Sequence, residues 1–140
     1  MCIHHVQSLA DGAPYIIAGD FNIKPTDTMY KHLVTGKIEP EDPAFPATAW
    51  NLFEWTPSLL EPVRSAYATA GQEPDFTNYA QVGEQDPFID TLDYIFLSPT
   101  GINVAGVTPL PKREEAGGPF PNEEEPSDHV LIAADLDISS

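Results

Sequence analysis

Three short apolar runs constrain the fold of this chain more than any other feature. They cover residues 15–18, 91–97 and 130–136, and turn-forming or polar residues bound each of them. Runs of this length between turn residues are typical of strands buried in a sheet. We therefore expect three strands, the first of them fully buried.

Helical patterns lie between and before these runs. Apolar residues at positions 3, 6 and 9 indicate the last turns of a helix. A second helix is predicted from Thr26 or Asp27, either of which can cap it, to about Val34, with Gly36 closing it. Residues 65–71 indicate a short helix or a turn. This mixture predicts an α/β layered domain and not a helix bundle.

The remaining segments are less regular. Residues 39–62 hold five prolines together with Trp50, Phe53 and Trp55, which are too apolar to leave in solvent, so we expect an ordered but irregular excursion. Residues 102–110 predict a further strand with a glycine at an end or a bulge. Residues 111–126 are acidic and rich in Pro and Gly, which predicts a mobile surface loop.

The chain has 140 residues, about the length of one domain, and a formal net charge of −16. So acidic a chain disfavours broad electrostatic binding of a polynucleotide. It still permits a phosphate substrate if divalent cations neutralise the negative charge locally. For most of the acidic residues, keeping the protein soluble is a sufficient explanation. The sequence contains no membrane-length apolar stretch. The single cysteine excludes an internal disulfide and permits a reducing compartment.

Polar side chains accompany each of the three predicted strands. Asp20 and Asn22 follow the first, Asp93 lies within the second, and Asp128 and His129 immediately precede the last. Polar groups at strand ends often build sites. Carboxylates bind Mg²⁺ or activate water, while amide and imidazole groups stabilise charge on a phosphoryl oxygen.

Each cluster alone has a simpler explanation. Asp20 and Asn22 could form a tight turn by bonding nearby backbone. A backbone contact could satisfy Asp93, and Asp128 with His129 could be an ordinary loop pair. The three clusters taken together, in this order, indicate a phosphate site more specifically.

The same residues carry a family resemblance. Gly-Asp-Phe-Asn at 19–22, Leu-Asp-Tyr-Ile-Phe at 92–96 and Ser-Asp-His at 127–129 resemble the carboxy-terminal half of the endonuclease/exonuclease/phosphatase superfamily. Phe-Thr-Asn-Tyr at 76–79 and Pro-Ser-Asp-His at 126–129 are similar to its deadenylase, 2′-phosphodiesterase and Angel branch. The resemblance implies that residues 1–140 form part of one domain, as half of a DNase I-like four-layer α/β sandwich with a largely antiparallel sheet and flanking helices.

The resemblance also implies roles for the clustered residues. Asp20 would orient or deprotonate the attacking water, and Asn22 would hold the scissile phosphate. Asp93 would orient His129, whose other ring nitrogen meets a phosphoryl oxygen. Asp128 would be a ligand of Mg²⁺, or of Mn²⁺ in its place.

Two further residues match positions that contact the terminal nucleotide in the deadenylase branch. These are Asn78, in the Thr-Asn-Tyr segment, and Phe88, five residues before Asp93. Phe88 would stack on a base. An ordinary core aromatic is an equally good interpretation of Phe88.

The sequence departs from the family pattern in two places. Ile23, followed by Lys24 and Pro25, replaces the serine common after Gly-Asp-Phe-Asn in this branch. The family's principal metal-binding glutamate, which belongs to the first half of the domain, has no counterpart here. We therefore expect a partner that covers an exposed sheet face: the amino-terminal half of the same protein, another chain, or a second copy.

The function implied is metal-dependent hydrolysis of RNA phosphodiesters by a 3′-5′ exoribonuclease of the poly(A) or 2′-5′-oligoadenylate type. Its substrate would be single-stranded RNA or an oligonucleotide. One alternative is a non-catalytic remnant that serves as a scaffold or subunit, and another is a superfamily activity on abasic DNA or a phospholipid. The resemblance implies an intracellular protein, in the cytoplasm, nucleus or mitochondrion, and no membrane partner.

Overall fold

A computed structural model describes residues 2–39, 41–43 and 61–139. Trp50, Phe53 and Trp55, which led to the predicted ordered excursion, lie outside the described residues. The helices are α1 Cys2–Ala10, α2 Thr28–Thr35 and α3 Ala66–Ala70, with a 3₁₀ turn at Arg113–Glu115. The strands are β1 Ile16–Asp20, β2 Arg64–Ser65, β3 Asn78–Ala80, β4 Phe88–Asp90, β5 Asp93–Leu97, β6 Ile102–Val107 and β7 Ala134–Ile138.

The strands form antiparallel sheets, as predicted. One has the order β1-β5-β2, and two smaller ones pair β3 with β4 and β6 with β7. The α/β fold class is therefore confirmed. The β3–β4 hairpin and the short β2 strand were not predicted from the sequence.

Strand β5 organises the core because its alternate side chains pack on different elements. Tyr94 and Phe96 join one buried cluster with Ile3 of α1 and Leu33 of α2. The other face of β5 joins a second cluster, whose members include Ala66 of α3 and Ile102 of β6. The prediction of a buried strand over residues 91–97 is thus confirmed, with pairing that begins at Asp93.

The prediction that the first strand is buried was wrong. Four of the five β1 residues are exposed, and Ile16 keeps 43% of its surface accessible. Among the described strands β1 pairs only with β5, so it lies at a sheet edge. Only Ile17 packs against a core cluster. An apolar run predicts a strand, but it does not determine whether another layer covers both faces.

The last strand also begins later than predicted. Strand β7 starts at Ala134, whereas Asp128 and Val130 bond to β3 and the residue before it: Tyr79 N–H donates to Asp128 O at 2.9 Å, and Val130 N–H donates to Thr77 O at 2.8 Å. The residues before β7 thus lie beside the β3–β4 hairpin.

A register shift in the β6–β7 pair supports the predicted bulge near a glycine. The shift lies between Val104 and Gly106.

The acidic segment at residues 111–126 is anchored to the same hairpin. Phe120 is 7% exposed, and its ring contacts Tyr79 with a centroid distance of 5.5 Å. Phe120 N–H donates to Tyr79 O at 2.8 Å. A Cβ on Gly118 would lie 2.5 Å from the Tyr79 ring, so glycine is required at this close approach. The segment is a surface loop with one buried anchor.

The helix ends follow the expected chemistry in part. Asp27 occupies the N-cap position of α2, but its side chain makes no capping hydrogen bond, whereas Gly36 ends the helix at a φ of +74° as predicted. Ser65 caps α3 by accepting a hydrogen bond from Ala68 N–H. In the part of the chain that the structure describes, no helix has both the length and the apolar character to span a membrane.

Candidate active site

The candidate site begins where β1 ends and β5 starts. Asp20 and Asp93 are direct partners across these antiparallel strands. Directly opposed residues project from the same sheet face, so the two carboxylates lie side by side. Asp93 was predicted to lie within its strand, and in the structure it is the first residue of β5.

The loop after β1 is held by local bonds. Asp20 Oδ1 accepts from Asn22 N–H at 2.7 Å, and Phe21 N–H donates to Leu92 O at 2.9 Å. Asn22 adopts a φ of +52°, in the left-handed region that asparagine tolerates better than most residues. The turn contact proposed as the simpler explanation is therefore present. It engages one Asp20 oxygen and leaves the Asn22 residue exposed.

Thr77 joins the β5 start to the β3 segment. Its side chain is fully buried, and its hydroxyl donates to Asp93 Oδ2 at 2.7 Å. The Thr77 hydroxyl oxygen itself accepts from the backbone N–H groups of Leu92 and Asp93, each at 2.9 Å. No role for Thr77 was predicted from the sequence, although it lies in the Phe-Thr-Asn-Tyr segment. A lone threonine in an apolar segment gives no distinguishing signal.

Asp93 Oδ2 also contacts the imidazole of His129. The distance to His129 Nδ1 is 2.8 Å, and the Asp93 and His129 side chains are 14% and 32% exposed. This contact fixes the ring and favours a proton on Nδ1, so that Nε2 is the nitrogen left for a ligand. The structure thus brings together Asp93 and His129, which are 36 residues apart.

The charges around His129 act on its pKa. Burial lowers this pKa, but the hydrogen bond that His129 donates to Asp93 and the charges of Asp93, Asp128 and Asp20 outweigh burial. The net effect raises the pKa of His129 above the ordinary histidine value. The carboxylates of Asp93, Asp128 and Asp20 thus make the protonated form of His129 more stable than that of a free histidine.

We expect Asp93→Asn to lower the pKa of His129, because the variant removes the hydrogen-bonded charge. Two-dimensional NMR titration of the His129 ring, in the wild type and in the variant, is the measurement. In the wild type, the raised folded-state pKa contributes stability that is fully present below about pH 6.5 and is lost as pH rises through the folded-state pKa. An unchanged His129 midpoint in the variant would contradict this origin of the shift.

Asn78 and Asp128 complete the polar cluster. Asn78 is 4% exposed, its Nδ2 donates to Asp128 Oδ2 at 3.3 Å, and its backbone bridges His129. Within residues 2–39, 41–43 and 61–139, no group of three or more His, Cys, Asp or Glu side chains could hold a metal ion. The described residues therefore do not build a whole cation site around Asp128.

Phe88 lies at the start of β4 and is 38% exposed. The interpretation of Phe88 as an ordinary core aromatic is therefore wrong for this structure. Its ring presents accessible apolar surface on the strand that pairs with the Asn78 strand. Its role in stacking on a base stays a prediction, as do the roles assigned to the other site residues.

The fold matches that of a solved catalytic domain. The human Nocturnin catalytic domain with bound sulfate anion superimposes with a TM-score of 0.57 at 24% sequence identity, over 99% of this chain and 38% of that one. Together, an antiparallel α/β fold of this kind and an aspartate-supported histidine among carboxylates define the DNase I-like class. The family follows from the sequence comparison.

This chain belongs to the Endonuclease/Exonuclease/phosphatase family, which it matches over residues 4–129. The human 2′,5′-phosphodiesterase 12 is 36% identical over 137 residues, covering 96% of this chain and 21% of the relative. The 3′-5′-exoribonuclease subunit Ccr4 of the CCR4-Not complex from Coccidioides immitis is 32% identical, covering 95% and 17%. The predicted superfamily and branch are confirmed, and the chain spans about a fifth of the length of these two relatives.

Proposed function

We propose that this protein hydrolyses RNA phosphodiester bonds and releases nucleotides from a 3′ end. The observation that carries the proposal is the Asp93–His129 contact of 2.8 Å, fixed by buried Thr77 and flanked by Asp20 and Asn78. Two similar proteins are named as a 2′,5′-phosphodiesterase and a 3′-5′-exoribonuclease. Both names describe hydrolysis of nucleotide phosphodiesters.

The residues divide the chemistry between water and phosphate. Asp20 accepts a proton from the attacking water through the carboxylate oxygen that Asn22 N–H does not occupy. The water oxygen then bonds to phosphorus, while the bond from phosphorus to the leaving oxygen breaks and that oxygen takes a proton from solvent to leave as a hydroxyl group. The Asn22 amide and His129 Nε2–H donate to phosphoryl oxygens, where negative charge increases in the transition state. Asp93 acts through His129 as its positioning residue.

We further propose that Mg²⁺ or Mn²⁺ is required, with Asp128 as one ligand. The described residues do not supply a complete ligand set, so other residues must complete it. These would come from the rest of the protein or from another chain. The same partner would cover exposed residues such as Ile16 of β1 and Leu131, which are 43% and 83% accessible.

The decisive experiment is product analysis on the full-length protein. We expect single nucleotides to be released from 3′-5′- or 2′-5′-linked oligoadenylate, with loss of activity when EDTA removes divalent cations. Abasic DNA and sphingomyelin should remain intact. Cleavage of either one in preference to the oligoadenylates would assign the protein to another activity of the family.

The alternative is a non-catalytic scaffold or subunit, and the incomplete ligand set among the described residues favours it. Calorimetric titration with Mn²⁺ separates the two functions. An enzyme should bind Mn²⁺ at a site that Asp128→Asn weakens. A scaffold should show no binding that depends on Asp128, and no nucleotide release.

A further inference from the structure

Lys24 makes two contacts with strand β4. Its Nζ lies 3.3 Å from Asp90 Oδ2 and 5.1 Å from the ring centroid of Phe88. A cation over an aromatic face within about 6 Å is attracted by the negative face of the ring. One side chain thus meets both an acidic residue and an exposed aromatic residue on the same short strand.

Lys24 also belongs to the loop that carries Asp20 and Asn22. Its backbone N–H donates to Asp27 Oδ2 at 2.9 Å, which fixes the backbone at the start of α2. The side-chain head is fixed on β4 by the Asp90 and Phe88 contacts. The residue therefore ties the proposed phosphate-holding loop to the strand that presents Phe88.

The geometry leaves part of the Phe88 ring for a ligand. The ammonium group covers one ring face, yet 38% of Phe88 remains exposed. A ring held on one face loses freedom to rotate away, so less ordering is needed when a base stacks on it. The Lys24 charge is already paired with Asp90, which makes a positioning role a better fit than a free phosphate contact.

We infer that Lys24 is a positioning residue that holds the Phe88 ring as a stacking platform for a nucleobase, at a fixed distance from the phosphate on Asn22. The inference rests on the proposed function and deepens it. It makes the ligand a nucleotide whose base adjoins the scissile phosphate. Lys24 belongs to the segment where this sequence departs from its branch.

The test is equilibrium binding of two fluorescent oligomers with non-hydrolysable linkages to the full-length protein, measured by anisotropy in the presence of Mg²⁺. One oligomer is single-stranded oligoadenylate, and the other is an abasic backbone of equal length. Lys24→Met should weaken oligoadenylate binding about fivefold. It should leave abasic-backbone binding nearly unchanged, and Lys24→Arg should restore most of the loss. Lys31→Met, an exposed helix variant with the same charge change, should bind as the wild type does.

A double variant separates positioning from general electrostatics. If Lys24 acts through the ring, Lys24→Met should have little further effect once Phe88→Leu is present. Equal weakening of both oligomers by Lys24→Met would show a phosphate contact and overturn the inference. Wild-type binding by Lys24→Met would overturn it and leave the proposed function intact. Failure of the wild-type protein to bind oligoadenylate would reject the proposed function, and the inference with it.

Discussion

Replacing His129 with alanine is expected to lower kcat/KM for oligoadenylate by about 10³-fold. The variant removes the imidazole whose Nδ1 lies 2.8 Å from Asp93 Oδ2, and with it the proposed Nε2 donor to phosphate. The loss should fall mainly on kcat, because charge on the phosphoryl oxygens increases only in the transition state. Steady-state kinetics at saturating and low substrate measure the two effects.

A matched control is available in helix α1. His4→Ala makes the same chemical change at an exposed position outside the cluster. The control should keep wild-type rates. If His129→Ala retained more than a tenth of the wild-type kcat, the assignment of His129 to the reacting phosphate would be wrong.

Replacing Thr77 with valine is expected to lower the free energy of unfolding by about 3 kcal/mol. Valine keeps the shape of the side chain but removes a hydroxyl that is fully buried. Two backbone N–H groups, those of Leu92 and Asp93, lose their acceptor at 2.9 Å. Asp93 Oδ2 loses its 2.7 Å donor at the same time. Urea denaturation followed by circular dichroism measures the loss.

Two variants calibrate the Thr77 result. Thr77→Ser keeps the hydroxyl and should recover most of the stability. Thr69→Val removes a hydroxyl that bonds Ser65 O from an exposed residue of α3, and should change stability far less. A Thr77→Val effect no larger than that of Thr69→Val would show that the Leu92 and Asp93 amides find other acceptors.

Local chemistry explains which elements could be predicted. The end of α2 depends on Gly36, and the β5 strand depends on an apolar run that is buried on both faces. Such features are encoded within a few neighbouring residues. The exposure of β1 could not be predicted in the same way, because burial depends on what another layer covers. The start of β7 was misplaced because residues 128–130 bond to the β3 segment, a contact that an apolar run does not specify.

The site was predictable only in part. Family resemblance linked Asp93 to His129, and the structure places them in contact. The resemblance assigned no role to Thr77 and no contact between Asn78 and Asp128, so neither the hydrogen bond from Thr77 to Asp93 nor that from Asn78 to Asp128 was predicted. The hydroxyl of Thr77 is unremarkable in sequence. In the structure it bonds two backbone amides and the Asp93 carboxylate, and so fixes the position of that carboxylate.

The contacts that build the site have a consequence for how it forms. The contact of Asn78 with Asp128 spans 50 residues, and that of Tyr15 with Ser98, at the other end of the β1–β5 pair, spans 83. Long loops must close before such contacts form, which makes them late and slow events in folding. During synthesis, helices α2 and α3 can form from local contacts as soon as their own residues have been made. His129 is added to the chain much later. The contact between Asp93 and His129 can therefore form only after the chain has grown by 36 residues beyond Asp93.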